Sequence, residues 1–167
     1  MARWAEIEAE APALAAAVRA RFDAHIHKVL ATLRRDGSPR LSGIEAQFLD
    51  GELWLGLMPG SLKAADVRRD PRLALHSATV DPPEDAARWE GDAKLSGRGV
   101  ELTDETHARA VMARLHAAGG REGAEPGGLL FRVEIEEAVV TRLNAAGDRL
   151  VVESWREGRG LRRVERA

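Results

Sequence analysis

Residues 28–57 read KVLATLRRDGSPRLSGIEAQFLDGELWLGL, and this stretch decides the fold. Apolar runs over 29–33, 40–49 and 53–57 are parted by two short turns, Asp36-Gly37 and Asp50-Gly51. Asp-Gly favours the left-handed backbone that a tight hairpin needs, so the three runs are expected to be consecutive antiparallel strands.

Upstream, Trp4, Ile7, Ala11, Leu14, Val18 and Phe22 recur at helical spacing. Pro12 lacks an N–H and is tolerated only in a first helical turn, so a short helix ending near Glu10 and a second one starting at Pro12 are expected. Downstream, Ser61 stands in N-cap position before Leu62-Lys63-Ala64-Ala65-Asp66-Val67-Arg68-Arg69, and Asp70-Pro71 ends that helix. Strands follow over 72–77 and 92–102, separated by a loop at 81–89. Gly97 and Gly99 mark a bulge or bend in the second of them. Thr103 or Asp104 caps a helix with the stripe Ala108, Val111, Met112 and Leu115, ending at Gly119-Gly120 before a mobile turn. Strands over 129–143 and 150–155 complete a set of seven, and residues 156–167 read as a charged tail.

The pattern is one α+β domain over 1–167, mainly antiparallel, closed or partly closed as a barrel. Residues 1–25 form its helical N-terminal segment.

Composition narrows the chemistry. With 25 basic and 27 acidic residues the formal charge is −2, which lacks the basic surplus of a sequence-independent nucleic-acid binder. The absence of cysteine removes disulfides, thiolate metal sites and cysteine nucleophiles. No run approaches the roughly 20 apolar residues of a membrane span, so a cytoplasmic protein is expected, without a membrane or nucleic-acid partner. Nucleophile-elbow, Walker, dinucleotide-fingerprint and zinc-protease motifs are all missing. His25 and His27 form an H-x-H pair without a third ligand nearby, which reads as a helix-to-strand junction. Trp4, Trp54 and Trp155 read as core or interface anchors, and Trp89 as a loop anchor.

Of the 25 cations only Lys28, Lys63 and Lys94 are lysine. Lys63 is the informative one, because a cation in the first turn of a helix opposes the helix dipole unless an anion compensates. Gly60, Ser61 and Lys63 therefore permit two readings: a phosphate-sized anion site, or a cap with a solvated lysine.

The order Ala31-Thr32-Leu33-Arg34-Arg35-Asp36-Gly37-Ser38-Pro39, Asp50-Gly51-Glu52-Leu53-Trp54-Leu55, Gly60-Ser61-Leu62-Lys63-Ala64 and Arg68-Arg69-Asp70-Pro71-Arg72-Leu73-Ala74-Leu75 resembles the pyridoxamine 5'-phosphate oxidase-like flavin and deazaflavin split-barrel family. The resemblance is best over residues 26–102. It implies a six- or seven-stranded split barrel, a homodimer with the cofactor between subunits, and FMN-dependent or deazaflavin-dependent hydride transfer to or from a small molecule. Carried over to this sequence, it puts Ser61 and Lys63 at the cofactor phosphate with Leu62 between them in the same cofactor-binding turn, Ser42, Gly43 and Ile44 beside the ribityl chain and ring, and Leu57 and Met58 at the border of the same site. No catalytic side chain is implied. Ser42 and Leu62 stand where the vitamin B6 oxidases carry arginines, and their C-terminal Arg-x-His motif is missing, so that specific activity is not implied. The alternative is a barrel that holds a flavin, haem or tetrapyrrole without turnover, with His25, His27 or His76 as a haem ligand.

Overall fold

A computed structural model describes residues 1–119 and 128–166. The turn expected after Gly119 lies outside them. Two helices, α1 (Trp4–Glu10) and α2 (Pro12–Asp23), precede β1 (His27–Leu33), β2 (Pro39–Leu49) and β3 (Glu52–Leu57). Then come α3 (Leu62–Arg69), β4 (Arg72–His76), β5 (Asp92–Glu101), α4 (Glu105–Ala118), β6 (Leu129–Leu143), β7 (Leu150–Arg156) and β8 (Gly160–Arg166).

Both hairpins form as expected. Gly37 has φ 82°, and Asp50 and Gly51 have φ 53° and 70°, the left-handed pair of a two-residue turn. All strand pairs are antiparallel, in the order β3-β2-β1-β4-β5-β6-β7-β8, and a further pairing of β3 with β6 closes a six-stranded barrel. The bulge falls between Ser96 and Gly97. A Cβ at Gly97 would sit 2.0 Å from the Glu134 carbonyl oxygen, so only glycine lets the strands approach there.

The helical stripe closes the core. Trp4, Ile7, Leu14, Val18 and Phe22 are all buried, and the Trp4 ring centroid lies 4.4 Å from that of Phe48 on β2. Ala11 alone separates the two helices, and Pro12 opens α2. Trp155 is buried too, donating to Glu10 Oε2 at 2.8 Å, and Trp89 anchors its loop by donating to the Val80 carbonyl at 3.1 Å.

The expected tail is a correction. Arg156 ends β7, and residues 160–166 form an eighth strand paired along β7. Gly158 and Gly160, at φ 73° and 68°, provide the reversal. The charges that suggested a solvated tail are paired instead: Arg163 bridges across the hairpin to Glu153 at 4.0 Å and along its own strand to Glu165 at 2.7 Å. Among the described residues no helix is long and apolar enough to cross a membrane.

Candidate functional site

Strand alternation makes the site. Even-numbered residues of β2 face the barrel and odd-numbered ones face out, as the burial of Ile44, Ala46 and Phe48 shows. The outer face of β2 and β3 forms the floor of a cleft of about 700 Å³. Gly43, Glu45 and Gln47 come from β2, Trp54 and Gly56 from β3, while Met112, Leu115 and His116 of α4 form one wall. Leu57, Met58, Pro59 and Lys63 border the opposite end, and His27 joins them from β1.

Lys63 is held at this rim. Its Nζ donates to the Gly43 carbonyl at 2.6 Å, bringing the ammonium across from α3 to the cleft floor. Ser61 caps α3 by accepting from the Ala64 N–H at 3.4 Å. The position of α3 depends in turn on Asp66, only 3% exposed. Arg40 Nε (2.6 Å) and Thr32 Oγ1 (3.1 Å) donate to its Oδ2, and Arg69 (3.0 Å) donates to its Oδ1. Burial by itself would raise the Asp66 carboxyl; the bonds from Arg40, Arg69 and Thr32 outweigh it and hold it below the usual carboxylate value. A charged tie therefore joins the lysine-bearing helix to β1 and β2.

Gly43, Ile44, Leu57, Met58 and Lys63 thus meet at one cleft. Ile44 and Leu57 are also core residues, whereas Met58 is 71% exposed at the rim. Ser61 lies instead in a shallower depression on the adjoining surface of α3, with Gly60 and Ala64. Ser42 and Leu62 border neither: the β2 register turns Ser42 inward opposite Leu30, and Leu62 projects from the exposed side of α3. Lys28 is buried, donating to the Ile26 carbonyl at 3.0 Å, and its desolvation lowers its pKa against the pull of Asp23 and Glu45. Lys94 and His76 flank Asp92 on the outer sheet face, at 3.7 and 3.8 Å, away from the cleft. His25 does not border the cleft either, and no group of three metal-ligating side chains occurs among the described residues.

The α4 wall escapes a reading of the sequence. Met112 and Leu115 have the spacing of ordinary core residues, and nothing local shows that α4 covers the outside of β3.

Residues 14–142 match the sequence model of the pyridoxamine 5'-phosphate oxidase family. The chain belongs to that family. Solved structures show the same split barrel. A putative pyridoxamine 5'-phosphate oxidase from Listeria innocua is 15% identical, with 72% of this chain and 92% of that one covered at a TM-score of 0.56. An F420 reductase is 16% identical over 68% of this chain and 88% of its own, TM-score 0.52. A protein of the pyridoxinephosphate oxidase family from Clostridium acetobutylicum, related to general stress protein 26, is 12% identical over 83% and 89%, TM-score 0.54. No curated protein matches the chain. Family membership is therefore established with the departures at Ser42 and Leu62 in place, which marks a divergent member.

Proposed function

We propose that the protein is a cytoplasmic oxidoreductase that binds a phosphate-bearing flavin, FMN in the first place or a deazaflavin in its stead, in the cleft along β2, and acts on a small molecule. The observation that carries this reading is Lys63, an ammonium in the first turn of α3 brought to the cleft floor at Gly43. A backbone carbonyl is a modest partner for a full charge, and a phosphate arriving beside it supplies a stronger, charge-assisted one. The F420 reductase among the structural neighbours supports a cofactor of this kind.

The residues present fit such a group. Gly43 and Gly56 carry no Cβ into the cleft: one added at Gly43 meets nothing within 4 Å, and one at Gly56 comes no nearer than 3.9 Å to Met112. The floor is thereby left open for a flat ring. The volume falls in the range of small-molecule pockets, with Trp54, Met112 and Leu115 giving apolar surface and few charges. From Gly43 to Gln47 the strand advances roughly 13 Å at about 3.3 Å per residue, room for a polyol chain and a ring beyond a phosphate at Lys63. When bound, a flavin or deazaflavin supplies hydride transfer, while the protein positions it and tunes its surroundings.

The outer sheet face supports a homodimer. Leu41 is 73% and Val29 40% exposed on neighbouring outward positions of β2 and β1, with Ile26 exposed just before β1. A second copy covering this face would bury them and bring its own residues towards the cleft.

The absorbance spectrum of the protein purified from a host that makes both cofactors tests the reading. A band of oxidised flavin or of a deazaflavin is expected, and light scattering should give twice the monomer mass. A colourless protein that takes up neither FMN nor a deazaflavin on titration overturns it; a Soret band instead assigns the cleft to haem, with His27 as the ligand at hand.

A further inference from the structure

His116, on the last turns of α4, borders the cleft at the end away from Lys63. The α4 C-terminus lies over Gln47, since a Cβ at Gly119 would stand 3.4 Å from Gln47 Nε2. The two nitrogens of His116 differ. Among the described residues Nδ1 is enclosed and has no hydrogen-bond partner, whereas Nε2 is not one of the enclosed unpartnered atoms and no bond from it to a described residue occurs. An enclosed N–H without an acceptor is the costlier of the two ways to leave Nδ1 unmet, so the favoured tautomer keeps Nδ1 bare and carries the proton on Nε2. The ring thus offers an N–H donor at the end of the cleft where Gln47 lies on the floor and Trp54, Met112 and Leu115 give apolar surface.

We propose that His116 is a ligand-contacting, specificity-determining residue, donating from Nε2 to an acceptor atom such as a carbonyl oxygen or ring nitrogen at the ring end of the ligand. The cleft then selects two features at its two ends, an anion at Lys63 and an acceptor at His116, with Gly43 and Gln47 on the floor between them about 13 Å apart along β2. This rests on the cofactor reading above and deepens it, because Lys63 recognises only the phosphate, whereas His116 recognises the ring whether or not a phosphate is attached.

The full-length protein is titrated with FMN and with riboflavin, which lacks the phosphate, following flavin fluorescence for wild type, His116→Phe, His116→Gln and Lys63→Ala. His116→Phe is expected to weaken both flavins about tenfold, the loss of one hydrogen bond of roughly 1.4 kcal/mol. His116→Gln, which keeps an N–H donor, should stay within about threefold of wild type, and Lys63→Ala should weaken FMN alone. The ring nitrogen spectrum of His116 in wild type gives an answer independent of any variant's folding: Nδ1 should be unprotonated, and Nε2 should shift when FMN is added. Equal affinities for wild type and a folded His116→Phe, or a proton found on Nδ1, overturn the inference while leaving the flavin reading intact. Wild type that binds no flavin overturns both.

Discussion

Asp66→Asn isolates the tie that holds α3, because the substitution keeps the shape and removes the charge. Asn can still accept from Arg40 through its one oxygen, but its NH2 must then face the Arg69 guanidinium, which is 3.0 Å from Asp66 Oδ1 in the native protein. Removing one partner of a buried ion pair costs about 3–5 kcal/mol. Arg40 and Arg69 keep 19% and 35% of their side-chain surface and can recover some water, which places the cost near the lower end, about 3 kcal/mol. For a chain of this size that is a drop in Tm of roughly 6–12 °C. Thermal melts followed by circular dichroism at several pH values check it. The native Asp66 carboxyl titrates below its unfolded value of about 3.9, so its contribution is fully present above that pH and disappears as pH falls through the native value. The gap between wild type and Asp66→Asn should be constant from about pH 5 to 8 and narrow below about pH 4. A variant melting within 1–2 °C of wild type at pH 7, or a gap that persists undiminished into acid, would refute the argument that Asp66 is a charged tie.

Lys63→Ala should lower FMN affinity about tenfold or more, as expected for a charge-assisted bond, with Lys28→Ala and Lys94→Ala weaker in effect; equal losses for all three, measured by fluorescence titration, would contradict the role given to Lys63. Gly56→Leu should fill the cleft floor and abolish flavin binding with less than about 1.5 kcal/mol change in stability, since the nearest side-chain atom stands 3.9 Å from a Cβ there; urea melts and titration together test it. Asp70, bonded through its side chain by Arg72, is held at about 2, so carboxyl NMR should find it titrating well below the ordinary aspartate value of about 3.9, and Arg72→Ala should return it towards that value.

Local chemistry made much of this legible in advance. The Asp50-Gly51 turn, the Pro12 restart and the Ser61 cap act within a few residues of themselves, and all three are where the sequence implies. Lys63 was visible for the same reason, since its conflict with the helix dipole belongs to the helix that carries it. The charged C-terminal segment was misread because strand and solvated tail differ there in pairing across a turn, not in composition. Ser42 shows the limit within a single strand. Family resemblance pointed to β2, and only the register reveals that Gly43, Glu45 and Gln47 face the cleft while Ser42 faces in.

By itself the sequence determined the hairpins, the helix starts, the absence of cysteine chemistry and a lysine in the first turn of α3. Barrel closure was decided only by the tertiary structure, through the pairing of Leu53–Leu57 with Leu129–Val133 across more than seventy residues. So was the placing of α4 over Trp54, which turns a core-like stripe into a cleft wall and sets His116 beside Gln47. The physical reason is range: caps and turns are satisfied by neighbours in sequence, whereas a cleft exists only where distant apolar faces meet and leave one side unfilled.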